Sequence, residues 1–338
     1  MNAMEKRIAG YLAHRMPRAD DVRVSDLARI HGGSSQETYR FQATWREDEA
    51  DVEKRLILRR EPPSGLVVAE RDLEYTVYRS LANRGIPVPG AHFLELDSGW
   101  LERPFFIMDM MPGKPGHFYA AQDPYEGMAA QVVGAFWHTL GKLAAIDHHA
   151  IGLAGLRNGE HAGNFWQREL DYWERRLDES GQAPEPCTRG VIRRLRRDPP
   201  RETSKPAVTH GDYRAGNFLF TPDGAISAVL DWEMCHIGDP LEDVAWALDG
   251  MWPMSRYFPL EDGLGIWEAA SGMTIDRDAL DWWRLFATVK ASAIWATAEA
   301  SVRDGTSHEM VVAISAIRAG YFHRHEALML MEQRGAMG

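Results

Sequence analysis

The sequence predicts an α+β fold in two parts, and three observations carry that expectation. The first third alternates and turns like β-sheet, the remainder runs in long amphipathic helices, and an apolar strand ending at Pro112-Gly113 marks the join. ARIHGGSSQETYRFQATW alternates on both sides of Gly32-Gly33-Ser34-Ser35, which reads as strand, tight turn, strand. KRLILRRE is a further short strand, closed by Pro62-Pro63. Residues 66–84 are predicted as a helix, because Leu73, Val77 and Leu81 recur on one face and Gly85 stops it. RPFFIMDMM then forms a nearly continuous apolar strand, and Met110 to Gly113 is the expected boundary.

Beyond the join, AAQVVGAFWHTLGKLAAID and NFWQRELDYWERRLDES are amphipathic over several turns. His148-His149 reads as a cationic turn ending the first of them. A β interlude, PAVTHGDYRAGNFLFTPDGAISAVLDW, carries the turn signal Pro222-Asp223-Gly224. Helices resume at DPLEDVAWALDG and continue to about Met331. The expected division is therefore residues 1–111 and 112–338.

Composition narrows the function. A net charge of −11 lacks the basic footprint that nucleic-acid binding needs. Its one basic cluster, Arg189 to Arg201, reads as a solvated helix end running into a loop. No apolar run approaches the ~20 residues that cross a bilayer, and the charged N-terminus lacks a signal-peptide core. Two cysteines, Cys187 and Cys235, are too few for a disulfide framework. The expectation is a cytoplasmic enzyme with no nucleic-acid or membrane partner.

Chemistry concentrates in HGDYRAGN, His210 to Asn217, followed by LDW at Asp231. Asp212 and Asn217 share a loop between two predicted strands, and Asp231 ends the next strand after a turn. Hairpin strands return to the same end, so the three polar side chains converge on one small volume. Asn and Asp oxygens are suitable hard ligands for magnesium, assigned here to Asn217 and Asp231. Asp212 is then available to accept the proton of an attacking hydroxyl. Each residue alone is an ordinary loop cap; their order within one hairpin is what points to chemistry.

HGDxxxxN followed by D-W resembles the aminoglycoside phosphotransferase and choline kinase superfamily, small-molecule relatives of the protein kinases. VLDWEMCHIGDPLEDVAW, LRREPPSG, IPVP and FFIMDMMPG resemble one branch, bacterial phosphotransferase-family proteins that look like the kinase-like module fused to some acyl-CoA dehydrogenases. The resemblance covers about residues 25 to 250. It implies a bilobal protein-kinase-like fold and ATP- and Mg2+-dependent transfer of a γ-phosphoryl group to a hydroxyl of a small molecule. Gly32, Gly33, Ser34 and Ser35 would cover the phosphates, and Arg59 would clamp them where kinases use Lys, partnered by Glu74 with Glu70 as rival. Asp109 and Met111 would meet the adenine edge, with Met108 behind the ring. Arg214 sits where many Ser/Thr protein kinases place a phosphate-contacting Lys, and pairing with an acidic neighbour is its other reading. Asp239 and Asp243 read as scaffold. Trp246 and Met251 to Phe258 supply apolar bulk for an acceptor pocket. A hydroxyacyl or hydroxy-acid kinase, and a nucleotide-binding non-enzyme, stand as alternatives.

Overall fold

A computed structural model describes residues 2–30, 37–61, 72–116, 123–161, 163–182, 185–203, 205–252, 254–307 and 310–336. The chain opens with helix α1 (Ala3–Arg15) and strands β1 (Asp20–Ile30), β2 (Glu37–Glu47) and β3 (Ala50–Arg60). Helix α2 (Leu73–Leu81), β4 (Ala91–Glu95), the short α3 (Ser98–Leu101) and β5 (Phe105–Asp109) complete the first lobe. The five strands form one antiparallel sheet in the order β1-β2-β3-β5-β4.

Strand alternation divides this sheet into two faces. Leu56 and Leu58 of β3 pack with Phe41, Ile107 and the α1 residues Tyr11 and Leu12. Ile57 turns the other way, toward Phe106, Met108 and the α2 residues Val77, Tyr78 and Leu81. Helix α1 was not foreseen from the sequence. Its start is a capping box, in which the Asn2 side chain accepts from Glu5 N–H at 2.8 Å and Asn2 N–H donates to the Glu5 carboxylate at 2.6 Å. The helix predicted over 66–84 is described only from Asp72, and α2 begins at Leu73.

The connector after β5 lies against the second lobe. A Cβ at Gly113, whose φ is +112°, would stand 2.6 Å from the Phe220 carbonyl oxygen, so only glycine fits there. Strand β6 (Lys114–Pro115) then pairs with β8 (Phe218–Phe220), and β8 with β9 (Ile226–Val229), across the predicted Pro222-Asp223-Gly224 turn. Strand β7 (Ala207–Thr209) pairs with β10 (His236–Gly238). Around them stand α4 (Ala129–Ala145), α5 (Phe165–Glu179), α6 (Pro186–Arg197), α7 (Leu241–Ala247), α8 (Leu260–Ser271), α9 (Arg277–Arg303) and α10 (Met310–Ala336).

Part of the basic cluster is paired: Arg189 and Arg196 of α6 meet Glu174, Asp178 and Asp171. The histidine pair departs from expectation. Helix α4 stops at Ala145, and His148 is buried beyond it, where burial and the adjacent His149 lower its pKa instead of making it a cationic cap.

Candidate active site

Strand β7 delivers the loop that carries the strongest sequence motif. At its entry Asp243 of α7 accepts the backbone N–H of His210 at 2.6 Å and of Gly211 at 2.9 Å. Gly211 takes a φ of +82°, and a Cβ there would meet the Met234 carbonyl oxygen at 2.5 Å. The His210 ring lies between the Leu230 carbonyl, 3.0 Å from Nε2, and the Asp212 N–H, 3.1 Å from Nδ1. One ring nitrogen therefore donates and the other accepts, which requires the neutral imidazole. Complete burial agrees, pushing the His210 pKa down to about 4.

Asp212 follows, with its carboxylate fixed by three donors. Arg214 Nε reaches Oδ1 at 2.9 Å, Trp246 Nε1 reaches the same oxygen at 2.7 Å, and Asn217 Nδ2 reaches Oδ2 at 2.6 Å. Leu230 N–H donates to the Asn217 carbonyl at 2.8 Å, which ties the end of β9 to the loop and sets Asp231 beside it. Asp231 itself has a φ of +71°, a conformation that non-glycine residues hold only when their surroundings enforce it.

Arg59 crosses from the sheet to this hairpin. Its Nη2 lies 3.0 Å from Asp231 Oδ1 and its Nη1 lies 2.9 Å from Glu74 Oε1. The Tyr78 hydroxyl donates to Glu74 at 3.0 Å and accepts the Asp231 N–H at 3.3 Å. Burial raises the Glu74 carboxyl to about 7 against the pull of Arg59. Burial also pushes Asp231 upward, but the charge and hydrogen bond of Arg59 outweigh it and hold that carboxyl below its ordinary value. Arg60 points to the opposite face, where its Nε donates to Glu37 at 2.8 Å. Under the phosphate-clamp role that the sequence resemblance implies for Arg59, Arg59→Ala should weaken nucleotide binding and turnover, and Arg60→Ala should affect mainly stability. Calorimetric titration of ATP into both variants checks this; a more sensitive Arg60 would contradict the assignment of faces.

The remaining sequence-predicted positions are less gathered. Asp109 ends β5, and its carboxylate takes the His92 ring at 2.6 Å; that hydrogen bond, working against burial, lowers its pKa. Met111 is half-buried in the connector, and Met108 is buried in the core beside Ile57. Gly32, Gly33, Ser34, Ser35 and Glu70 lie outside the described residues. Asp239 accepts the Leu241 N–H at 2.9 Å at the start of α7, whereas Asp243 accepts from the loop itself.

A shallow depression, partly open to solvent, is lined by Tyr125, Ala215, Trp252, Met254, Arg256 and Tyr257. The Arg214 guanidinium stacks over the Trp252 ring at 5.2 Å, linking this depression to the Asp212 carboxylate. Sequence reasoning placed Trp246, Trp252, Met254 and Tyr257 only as apolar bulk. The indole N–H of Trp246 on Asp212 went unforeseen, as did Tyr78 and Tyr125.

Similarity to known proteins agrees with this geometry. Residues 26–283 match the phosphotransferase enzyme family. Acyl-CoA dehydrogenase family member 10 of Mus musculus is 26% identical over 269 residues, which is 77% of this chain and 24% of that protein. Acyl-CoA dehydrogenase family member 11 of Gallus gallus is 30% identical over 204 residues, 59% of this chain and 26% of that protein. The chain thus spans about a quarter of the length of these relatives. Among solved structures, a candidate aminoglycoside phosphotransferase of Ralstonia eutropha JMP134 superposes with a TM-score of 0.71 at 20% identity, covering 97% of this chain and 98% of that one. The aminoglycoside phosphotransferase APH(4)-Ia, solved with ADP and hygromycin B, gives 0.57 at 17% identity over 94% and 98%. With a family match over most of its length and a bilobal protein-kinase-like fold, the chain belongs to the phosphotransferase enzyme family.

Proposed function

We propose that this protein moves the γ-phosphoryl group of ATP, with magnesium, onto a hydroxyl of a small molecule. The observation that carries the reading is the Asp212 carboxylate, fixed by three donors beside Asn217 and Asp231. An ionised carboxylate so held orients an acceptor hydroxyl and takes its proton as the new bond forms. Little covalent work is left to the protein; positioning and charge stabilisation dominate such transfers.

The donor set suits magnesium. Asn217 spends its Nδ2 on the Asp212 carbonyl and carboxylate, which turns its amide oxygen away from both. Asp231 gives Oδ1 to Arg59, and its Oδ2 has no hydrogen-bond partner among the described residues. These two oxygens would hold the ion, whose charge offsets that of the phosphates. Arg59 would contact phosphate oxygens, and Arg214 would reach the transferring group. The adenine would lie along Asp109 to Met111. Support for ATP itself comes from neighbours solved with ADP or AMP-PNP.

Titration of an ATP analogue, with and without magnesium, tests the reading. Asp231→Ala removes a full charge and should abolish the magnesium-dependent affinity, while Asn217→Ala, losing only a dipole, should weaken it less. Unaltered affinity in both variants would refute the assignment.

The aromatic depression favours a partly apolar hydroxylated acceptor over a polycation. The acyl-CoA dehydrogenase relatives support a hydroxyacyl or hydroxy-acid compound in that role. Two of the carboxylates that could bind amines are engaged elsewhere: Asp249 holds His323 at 3.0 Å and Glu261 holds Arg277 at 2.6 Å. Aminoglycosides should be poor substrates. A kcat/KM near ~10⁴ M⁻¹s⁻¹ for kanamycin-like compounds, typical of a working enzyme, would contradict this.

A further inference from the structure

Directly beneath the catalytic loop lies a buried ammonium. Lys290, in the middle of α9, is 1% exposed. Its Nζ donates to the Gly211 carbonyl at 2.5 Å and to Glu242 Oε1 at 2.8 Å, and it faces the Trp246 ring at 4.8 Å. The Gly211 carbonyl belongs to the peptide that joins Gly211 to Asp212, and the N–H of that same peptide goes to His210 Nδ1. Asp243 takes the Gly211 N–H one bond earlier. The peptide plane ahead of Asp212 is thus held at both ends, in a backbone conformation with φ of +82° at Gly211. Removing the ammonium would leave a buried carbonyl without a partner, free to rotate the plane that aims Asp212.

Behind Lys290 stands its counter-charge. Glu242 Oε2 meets His236 Nε2 at 3.1 Å, and Glu169 next to it pairs with Arg157 and takes the Asn158 amide at 2.7 Å. Glu169, His236 and Glu242 are all buried. These residues group like metal ligands, yet Arg157 and Lys290 already balance the two carboxylates. His236 faces the Met234 carbonyl at 3.0 Å and Glu242 at 3.1 Å, so both its nitrogens donate and the ring is cationic; Glu242 is the anion that holds the ammonium.

We propose that Lys290 is a positioning residue for phosphoryl transfer, clamping the Gly211–Asp212 peptide so that the Asp212 carboxylate faces the acceptor hydroxyl. This rests on the reading of Asp212 as the proton acceptor. Two readouts test it in Lys290→Met, Glu242→Gln and the charge-neutral double variant. One is amide hydrogen exchange of residues 208–216, and the other is Mg-ATP turnover with water as acceptor. Lys290→Met should speed exchange of the loop about 10-fold. It should also slow turnover by roughly 10- to 100-fold, the scale of a 1 Å misplacement, at unchanged KM for ATP. Glu242→Gln should lower the melting temperature but keep loop exchange near wild type. The double variant, which keeps the net charge of the buried cluster, should regain melting temperature without regaining turnover, which a merely structural role would not produce. Wild-type loop exchange in the double variant overturns the clamp, whatever the turnover. A wild-type protein that turns over no ATP counts against the phosphotransfer reading instead, and the exchange measurement still decides the clamp.

Discussion

Asp212→Asn should lower kcat by two or more orders of magnitude while leaving the affinity for magnesium nucleotide within about threefold, the usual scale for losing a positioned general base being ~10²–10⁴-fold. The substitution is nearly isosteric, so the loop keeps its place. What changes is proton affinity and donor pairing. Trp246 Nε1 still finds an oxygen acceptor, but Asn217 Nδ2, now 2.6 Å from Oδ2, would face an amide nitrogen or force the new side chain to turn. Either way the group nearest the acceptor hydroxyl no longer takes a proton. Single-turnover kinetics with the best acceptor, alongside calorimetry with an ATP analogue, separates chemistry from binding. Near-wild-type turnover would remove Asp212 from the mechanism.

The second large effect falls on stability. Asp243→Ala should cost about 3 kcal/mol near neutral pH, because it leaves the buried N–H groups of His210 and Gly211 unpaired at ~1–3 kcal/mol each. Burial, with Glu242 adding to it, raises the Asp243 carboxyl to about 6. A carboxyl raised in the folded state favours folding while protonated, and that contribution is lost as pH rises from about 4 through 6. The penalty of the substitution should therefore be larger at pH 5 than at pH 7. Chemical denaturation at both values measures it. Asp243→Asn, which keeps one acceptor oxygen, should recover part of the loss. A penalty independent of pH would mean that Asp243 is not the titrating group.

Much of this architecture was legible because it is local. Asp212 and Asn217 are five residues apart, and Asp231 returns to them through one short hairpin, so chain connectivity alone brings them close. The direction of Arg59 followed from pleat alternation, a property of any half-buried strand. What escaped was long-range or ambiguous in type. Trp246 reaches Asp212 across 34 residues and Lys290 reaches Gly211 across 79, and neither side chain announces by its kind that it will donate to a loop. Tyr78 sits in the predicted helix but off the Leu73–Val77–Leu81 pattern that defined it, yet its hydroxyl joins Glu74 to the Asp231 backbone. Helix α1 did carry local signals that went unread, the Asn2–Glu5 capping pair and Met4, Ile8, Tyr11 and Leu12 at helical spacing.

The bridge from Arg59 to Asp231 has a thermodynamic consequence. The Arg59 guanidinium is a charged contact between the N-terminal sheet and the hairpin, and the carboxylate it grips is the one proposed for the ion. A cation that draws Asp231 toward itself competes with Arg59, so its apparent affinity is reduced by whatever that contact is worth. By reciprocity, loading the site relaxes the grip between the lobes to the same degree. Were the proposed ion to bind there, separation of Arg59 from Asp231 and occupancy of the site would be a single linked equilibrium.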